Sequence, residues 1–280
     1  MKKLFSGKIR NGNFGFFSSE SFDVILDEKY GYAKLSKFPE IDYQSSSYRE
    51  LVNNSGEANE YFKLHDSEQA GYFNYISEHL NRDSTVIDCG CGGGSLLDLV
   101  SGLCKKTIAV EPYIGYHSSL IGRGHDVFPS LSKAKEANVK ANLALSMQVI
   151  EHTENPLEYL RDIYDLLEVG GQLILFTPNL NDIMLKLNFE AYAPFFFRTV
   201  HNYYFTAESL ELLGKEAGFQ VSKTLFYQDF GLDNAIYWLR DKKPCKDQKI
   251  EGIDKLANSN WKNYLELTGQ SYNVGIVLSK

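Results

Sequence analysis

VIDCGCGGG, residues 86–94, runs a short apolar start into an acid and then into four glycines. Each glycine loses more conformational entropy on folding than any other residue, so a cluster of them marks a place where something must approach the main chain closely. Working outward, TVIDC (85–89) reads as a buried strand and SLLDLVSGLC (95–104) as a helix. KTIAVEP (106–112) is a second strand, HDVF (125–128) a shorter one, SLSKAKEAN (130–138) a helix and NLALSMQ (142–148) another strand. Asn155 and Pro156 open the helix PLEYLRDIYDLLEV as N-cap and first-turn proline, and Gly170-Gly171 is expected to close it before QLILFTP (172–178). Alternation of this kind predicts a parallel sheet covered on both faces.

The pattern continues with a helix over AESLELLGKEAG capped by Thr206, a strand over FQVSKTLFY (219–227) and a last strand over YNVGIVLS (272–279) at or near the sheet edge. Residues 60–80 read as a helix, and a further one is expected near IDKLANSNWKNYLELT. Residues 1–59 form an accessory segment without strong periodicity, 60–280 the main domain, and 228–271 an insertion before the last strand.

At 280 residues, 43% hydrophobic and 23% charged, the composition is that of a globular protein. A net charge of −7 argues against a broad phosphate-binding face, so no nucleic-acid partner is expected. The four cysteines, at 89, 91, 104 and 245, form no CxxC pair and no histidine stands at ligand spacing from them, so no metal site and no disulfide framework is expected. The start, MKKLFSGKIRNGNFGFF, lacks the apolar run of a secretory leader, and no stretch is long and apolar enough for a membrane span; a cytoplasmic location is expected.

In an open α/β sheet, ligands bind beyond the carboxyl ends of the strands, where a glycine turn and a helix start offer free amides. Two ligand chemistries suit such a turn. The dinucleotide fingerprint G-x-G-x-x-G matches at Gly90 and Gly92, but its third position is Ser95. The pattern D-x-G-x-G-x-G is complete as Asp88, Gly90, Gly92 and Gly94.

That stretch closely resembles motif I of the class I S-adenosylmethionine-dependent methyltransferases. Glu111, 23 residues after Asp88, matches the acid this family places at the end of its second strand. LALSMQVIEHTENP (143–156) resembles the fourth-strand segment of the small-molecule branch, and GGQLILFTPN and HNYYFTAESLELLGKEAGF resemble its fifth strand and the helix after it. The resemblance spans about residues 60–227.

It implies a Rossmann-like α/β fold, a seven-stranded methyltransferase sheet with helices on both faces and an antiparallel last strand. It also implies an enzyme that moves the methyl group of S-adenosylmethionine, leaving S-adenosylhomocysteine, to a small-molecule acceptor. A hydroxyl oxygen of a sugar or other cell-surface or secondary metabolite is the expected acceptor atom. Asp88, Cys89, Gly90, Cys91 and Gly92 would hold the cofactor's amino-acid end, Glu111 and Pro112 its ribose side, and Met147 and Gln148 the adjoining wall. His152, with an ordinary pKa near neutrality, is the candidate catalytic base. Its rival role is to tie down the loop before Asn155.

Tyr61 and His65, on the early helix, are placed near the cofactor's methionine end. The aromatic stretch NFEAYAPFFFRTVHNYYF (188–205) is either a lid over the acceptor, with His201, Tyr203 and Tyr204 as substrate contacts, or a subunit contact in a homodimer. A nicotinamide-dependent oxidoreductase and a non-catalytic partner subunit of the same fold are the alternative readings.

Overall fold

The computed structural model describes residues 2–12, 17–51, 57–245 and 248–280. The chain opens with strands β1 (Lys2–Gly7), β2 (Phe22–Leu26) and β3 (Ala33–Leu35), followed by helices α1 (Ser46–Leu51) and α2 (Ala58–Ile76). The alternating region comprises β4 (Thr85–Cys89), α3 (Ser95–Ser101), β5 (Lys106–Val110), α4 (His117–Gly122), β6 (Asp126–Phe128), α5 (Leu131–Glu136), β7 (Ala141–Met147), α6 (Pro156–Leu166) and β8 (Leu167–Pro178). There follow α7 (Ile183–Leu187), α8 (Phe189–Phe196), β9 (Tyr203–Tyr204), α9 (Ala207–Glu216), β10 (Gln220–Tyr227), α10 (Leu232–Asp241), α11 (Lys255–Leu267) and β11 (Asn273–Ser279).

Seven strands form the main sheet in the order β10-β11-β8-β7-β4-β5-β6. β11 pairs antiparallel with both β8 and β10, whereas β8, β7, β4, β5 and β6 pair in parallel. The almost continuous burial of β4, β5 and β7 explains their unbroken apolar runs, since helices cover both faces. Ile163, Leu210 and Leu213 pack on one face; Tyr72, Leu97, Val100 and Leu120 pack on the other. The chain leaves β4 toward β5 on one side and returns through β7 on the other, so the strand order reverses beside β4. Ligands bind at such a switch point.

α6 ends earlier than the sequence suggested. Asn155 accepts from the Glu158 amide and Pro156 starts the helix as expected. Leu167 then turns extended and buries its side chain, while Val169 stands exposed. Gly170, at φ 79°, falls inside β8, and its N–H donates to the carbonyl of Lys280.

The described part of the N-terminal segment supplies three strands of a second sheet, ordered β1-β2-β3-β9, in which Tyr203 and Tyr204 of β9 pair with Lys34 and Ala33. Ile9, Val24, Leu35, Tyr192, Phe196, Phe197, Tyr204 and Trp238 make a third core beneath it. Tyr192, Phe196, Phe197 and Tyr204 of the 188–205 stretch are therefore interior packing beneath this sheet, not the exposed surface expected of a lid or subunit contact, whereas Phe189 stays partly exposed and His201 reaches the cleft at the switch point.

Candidate active site

Three parallel strands end side by side at the switch point. β4 ends in the glycine turn, β5 in Glu111, and β7 in Met147 and Gln148. A cavity of about 200 Å³ is lined by Gly90, Gly92, Glu111, Met147, Gln148 and His152, together with Tyr61, His65, Glu68, Glu151, Arg198 and His201. An adjoining one of about 440 Å³ is bordered by Tyr43, Pro112, Val149 and Thr153 and shares Tyr48, Arg49, Gly90, Glu111, Gln148 and His152 with the first. Tyr48 and Arg49, on α1, thus stand at the boundary between two lobes of one cleft.

Gly90 and Gly92 take φ 93° and 56°, the left-handed region that a side chain disfavours. A Cβ at Gly92 would meet the Tyr61 hydroxyl oxygen at 2.5 Å, and one at Gly90 would meet Val149 at 2.6 Å. Close approach is therefore built in. The free amides expected of the turn are otherwise engaged: Gly90 and Cys91 donate to the Val110 carbonyl, and Gly92 donates to Glu111 Oε2 at 2.9 Å. Asp88, Cys89 and Cys91 lie buried behind the turn. Burial, with the neighbouring Glu111 charge adding to it, pushes the Asp88 carboxyl up to about 7.

Glu111 Oε1 accepts from the Tyr113 amide at 2.8 Å and from the Arg49 guanidinium at 2.6 Å. Burial holds the Glu111 carboxyl above the usual range against the pull of Arg49. Gln148 adopts φ 59° at the end of β7, an uncommon conformation for a residue with a Cβ. It is fixed there by its own amide, bonded to Phe176 O, and by its side-chain amide, bonded to Tyr72 Oη and Asn273 Oδ1.

His152 donates from Nδ1 to the Val200 carbonyl at 2.6 Å, which leaves Nε2 as the acceptor atom. Burial drives its pKa down to about 4, so the ring is neutral near pH 7. His201 is likewise held well below its ordinary value by burial, with the neighbouring His152 adding to it. Glu151 is buried beside them, its carboxyl pushed up to about 7 by burial, and Oε2 accepts from Thr177 Oγ1 at 2.9 Å.

Among the residues predicted from sequence, Gly90, Gly92, Glu111, Pro112, Met147, Gln148, His152 and His201 face one lobe or the other, as do Tyr61 and His65. Tyr203 and Tyr204 do not. Their hydroxyls bond the Glu154 carbonyl and the Arg198 main chain, and their rings lie in the cores beneath the second sheet. Arg49, Glu68, Glu151 and Arg198 were not anticipated. Glu151 stood in plain view inside the quoted E-H pair, and its burial is what the sequence pattern concealed.

The cleft suits S-adenosylmethionine in its glycine floor and in a carboxylate at the end of β5, which can accept from ribose hydroxyls. Glu111 Oε1 is occupied by Arg49 and the Tyr113 amide, whereas Oε2 accepts from the Gly92 amide alone, so a second ribose hydroxyl would compete with Arg49 for Oε1.

Fold, strand order and site together define a class I S-adenosylmethionine-dependent methyltransferase. Residues 64–224 match the family model described as a methyltransferase domain, and the chain belongs to that family. A ubiquinone biosynthesis O-methyltransferase of Ruegeria pomeroyi is 30% identical over 147 residues, 48% of this chain and 59% of that protein. One from Cereibacter sphaeroides is 31% identical over 103 residues, 34% of this chain and 42% of that protein. The chain thus spans about half the length of these curated relatives. Crystal structures of SAM-dependent methyltransferases from Thermotoga maritima and Archaeoglobus fulgidus share the fold at 18% and 17% identity, each with a TM-score of 0.52. The alignments cover 79% and 84% of this chain, and 93% and 98% of those chains. Among the described residues no helix is long and apolar enough to cross a membrane.

Proposed function

We propose that the chain methylates a hydroxyl oxygen of a small acceptor held in the cleft between the glycine turn and His152. The observation that carries this reading is the convergence of the three strand ends on one cavity whose far wall is Glu151, His152, Arg198 and His201. Bound S-adenosylmethionine supplies a methyl group on a positively charged sulfur, an electrophile that needs an aligned nucleophile and little else. Gly90 and Gly92 form the floor under its amino-acid end, Glu111 and Pro112 take the ribose side, and Met147 and Gln148 border the reacting region. His152 presents a neutral Nε2 to the acceptor hydroxyl and fixes its direction. Alignment and water exclusion provide most of the acceleration, since displacement at an activated carbon requires no strong base.

Rings of Tyr43 and Tyr48 stand edge-on to His152, at 5.7 and 6.1 Å between centroids, and give the larger lobe a wall that suits a planar phenolic acceptor better than a sugar. The naming of the curated relatives as O-methyltransferases supports the same atom. Incubation with methyl-labelled S-adenosylmethionine and a panel of phenols, catechols, sugars and amines tests the proposal. Label on a phenolic oxygen is expected; label on nitrogen alone, or on no acceptor, contradicts it.

A further inference from the structure

We propose that Glu151, His152 and His201 bind one divalent first-row metal ion at the inner wall of the cleft, with its open positions facing the acceptor. The acceptor's identity rests on the function proposed above; the metal site rests on geometry alone. One donor atom from each residue lies within 4.8 Å of the other two. The imidazole rings of His152 and His201 stand perpendicular, at 4.8 Å between centroids, and Glu151 Oε1 lies 4.0 Å from His152 Nε2.

Two of the three residues carry a buried polar atom that lacks a partner. Glu151 Oε1 and His201 Nδ1 are buried with no hydrogen-bond partner among the described residues. An orphaned buried polar atom keeps its full desolvation penalty, and such atoms are rare enough in folded proteins that each demands a cause. The third donor is oriented as metal-binding histidines are: the Nδ1 proton is given to a backbone carbonyl, which directs the Nε2 lone pair into the cavity.

The cluster is assembled by the chain. Asn202 donates from its amide to the Glu151 carbonyl at 2.7 Å and from its side chain to the carbonyls of His152 and Thr153, which clamps the loop bearing His201 onto the turn bearing the other two.

Two imidazoles and one carboxylate favour zinc or a first-row transition ion over magnesium or calcium, which prefer oxygen donors throughout. Three protein ligands leave positions open, the pattern of a catalytic centre. Metal–ligand bonds of about 2.0–2.2 Å at tetrahedral angles place donors ~3.4 Å apart, so occupancy draws the three inward by about 1 Å or more through side-chain rotation. An acceptor hydroxyl held there loses its proton to water more readily. The oxygen lone pair then forms the bond to the methyl carbon as the carbon–sulfur bond breaks and leaves a neutral thioether. His152 is then a ligand, and the ion does the work assigned to a base. Arg198, on the same wall, adds positive charge that favours an acceptor arriving as an oxyanion.

The test is titration of tag-free, chelator-treated protein with cobalt(II), followed by its visible absorption, and with zinc(II) by calorimetry, in the absence of cofactor and acceptor. One equivalent is expected to bind, and His201→Ala and Glu151→Gln should each weaken it by roughly 100-fold. His79→Gln should bind as the unaltered protein does, because His79 is bonded to Gln172 outside the cleft. Melting curves establish that each variant is folded, and X-ray absorption of the cobalt form should show imidazole scattering. Absence of saturable binding, binding that survives both substitutions, or a spectrum without imidazole overturns the site. S-adenosylhomocysteine binding to the chelator-treated protein is measured separately; its retention without metal binding removes the metal site alone, and its loss removes the cofactor reading.

Discussion

Gly92 joins two constraints that only glycine meets, a positive φ and the Tyr61 ring pressed against it. Gly92→Ala should therefore lower S-adenosylhomocysteine affinity at least tenfold and destabilise the fold by about 1–3 kcal/mol, checked by calorimetry and denaturant melts. Glu151 carries the clearest pH signature. Its folded-state pKa near 7 exceeds the ordinary 4.5, so the folded protein retains a proton that the unfolded chain gives up. Its contribution is fully present below about pH 4.5 and is lost as pH rises through 7. His152, depressed to about 4, acts in the opposite sense, but that gain is complete by about pH 6.5. Glu151→Gln should remove this loss, so that the Tm difference between variant and unaltered metal-free protein grows from about pH 4.5 to 7 and levels off above it; a difference that does not change with pH contradicts the assignment. At this scale the sequence was informative wherever a residue's backbone or strand position fixed its role, as for Gly90, Gly92, Glu111 and Gln148. It was silent on Glu151 and misleading on Tyr203, because the partners of those side chains come from segments 26 and 49 residues away, and misleading on Tyr204, whose ring is buried in a core assembled from distant segments.

Among the elements, α1 matters most to the cleft. Its Arg49 guanidinium is buried against Glu111 and lies 5.0 to 5.3 Å from the rings of Tyr48, Tyr113 and Tyr116, so the ion pair is partly desolvated and held in place. If the cofactor's ribose needs the same carboxylate oxygens, Arg49→Gln removes a competitor and should tighten S-adenosylhomocysteine binding about tenfold, or ~1.4 kcal/mol. Weaker binding by that variant places Arg49 among the cofactor's ligands instead. α6 offers a simpler check: Asn155→Ala removes the cap on the Glu158 amide and should cost about 1 kcal/mol, a drop of a few degrees in Tm. Strands and long amphipathic helices were legible from periodicity because burial dictates it. α1, at six residues, has no periodic signature to read, and its significance comes from where tertiary packing sets Arg49.

At the level of the whole molecule, the chain's first strands complete a sheet with β9, and a large aromatic core sits between that sheet and α7, α8 and α10. Trp238 is almost fully buried there, with Tyr192 and Phe195 rings within 5 Å, so Trp238→Ala should cost about 3–5 kcal/mol and leave the seven-stranded sheet's own residues untouched. The seven-stranded sheet could be predicted because each strand is local in sequence. The second sheet could not, since β9 has two residues and pairs across about 170 positions of chain. What unites the molecule is the meeting of β4, β5 and β7 at one cleft, and the claim that this cleft holds S-adenosylmethionine is tested most directly by calorimetric binding of S-adenosylhomocysteine to the unaltered protein and to Glu111→Ala. Micromolar one-to-one binding that falls by roughly 100-fold in the variant is the expected result. Failure to bind, or a preference for a nicotinamide dinucleotide in its place, contradicts the account.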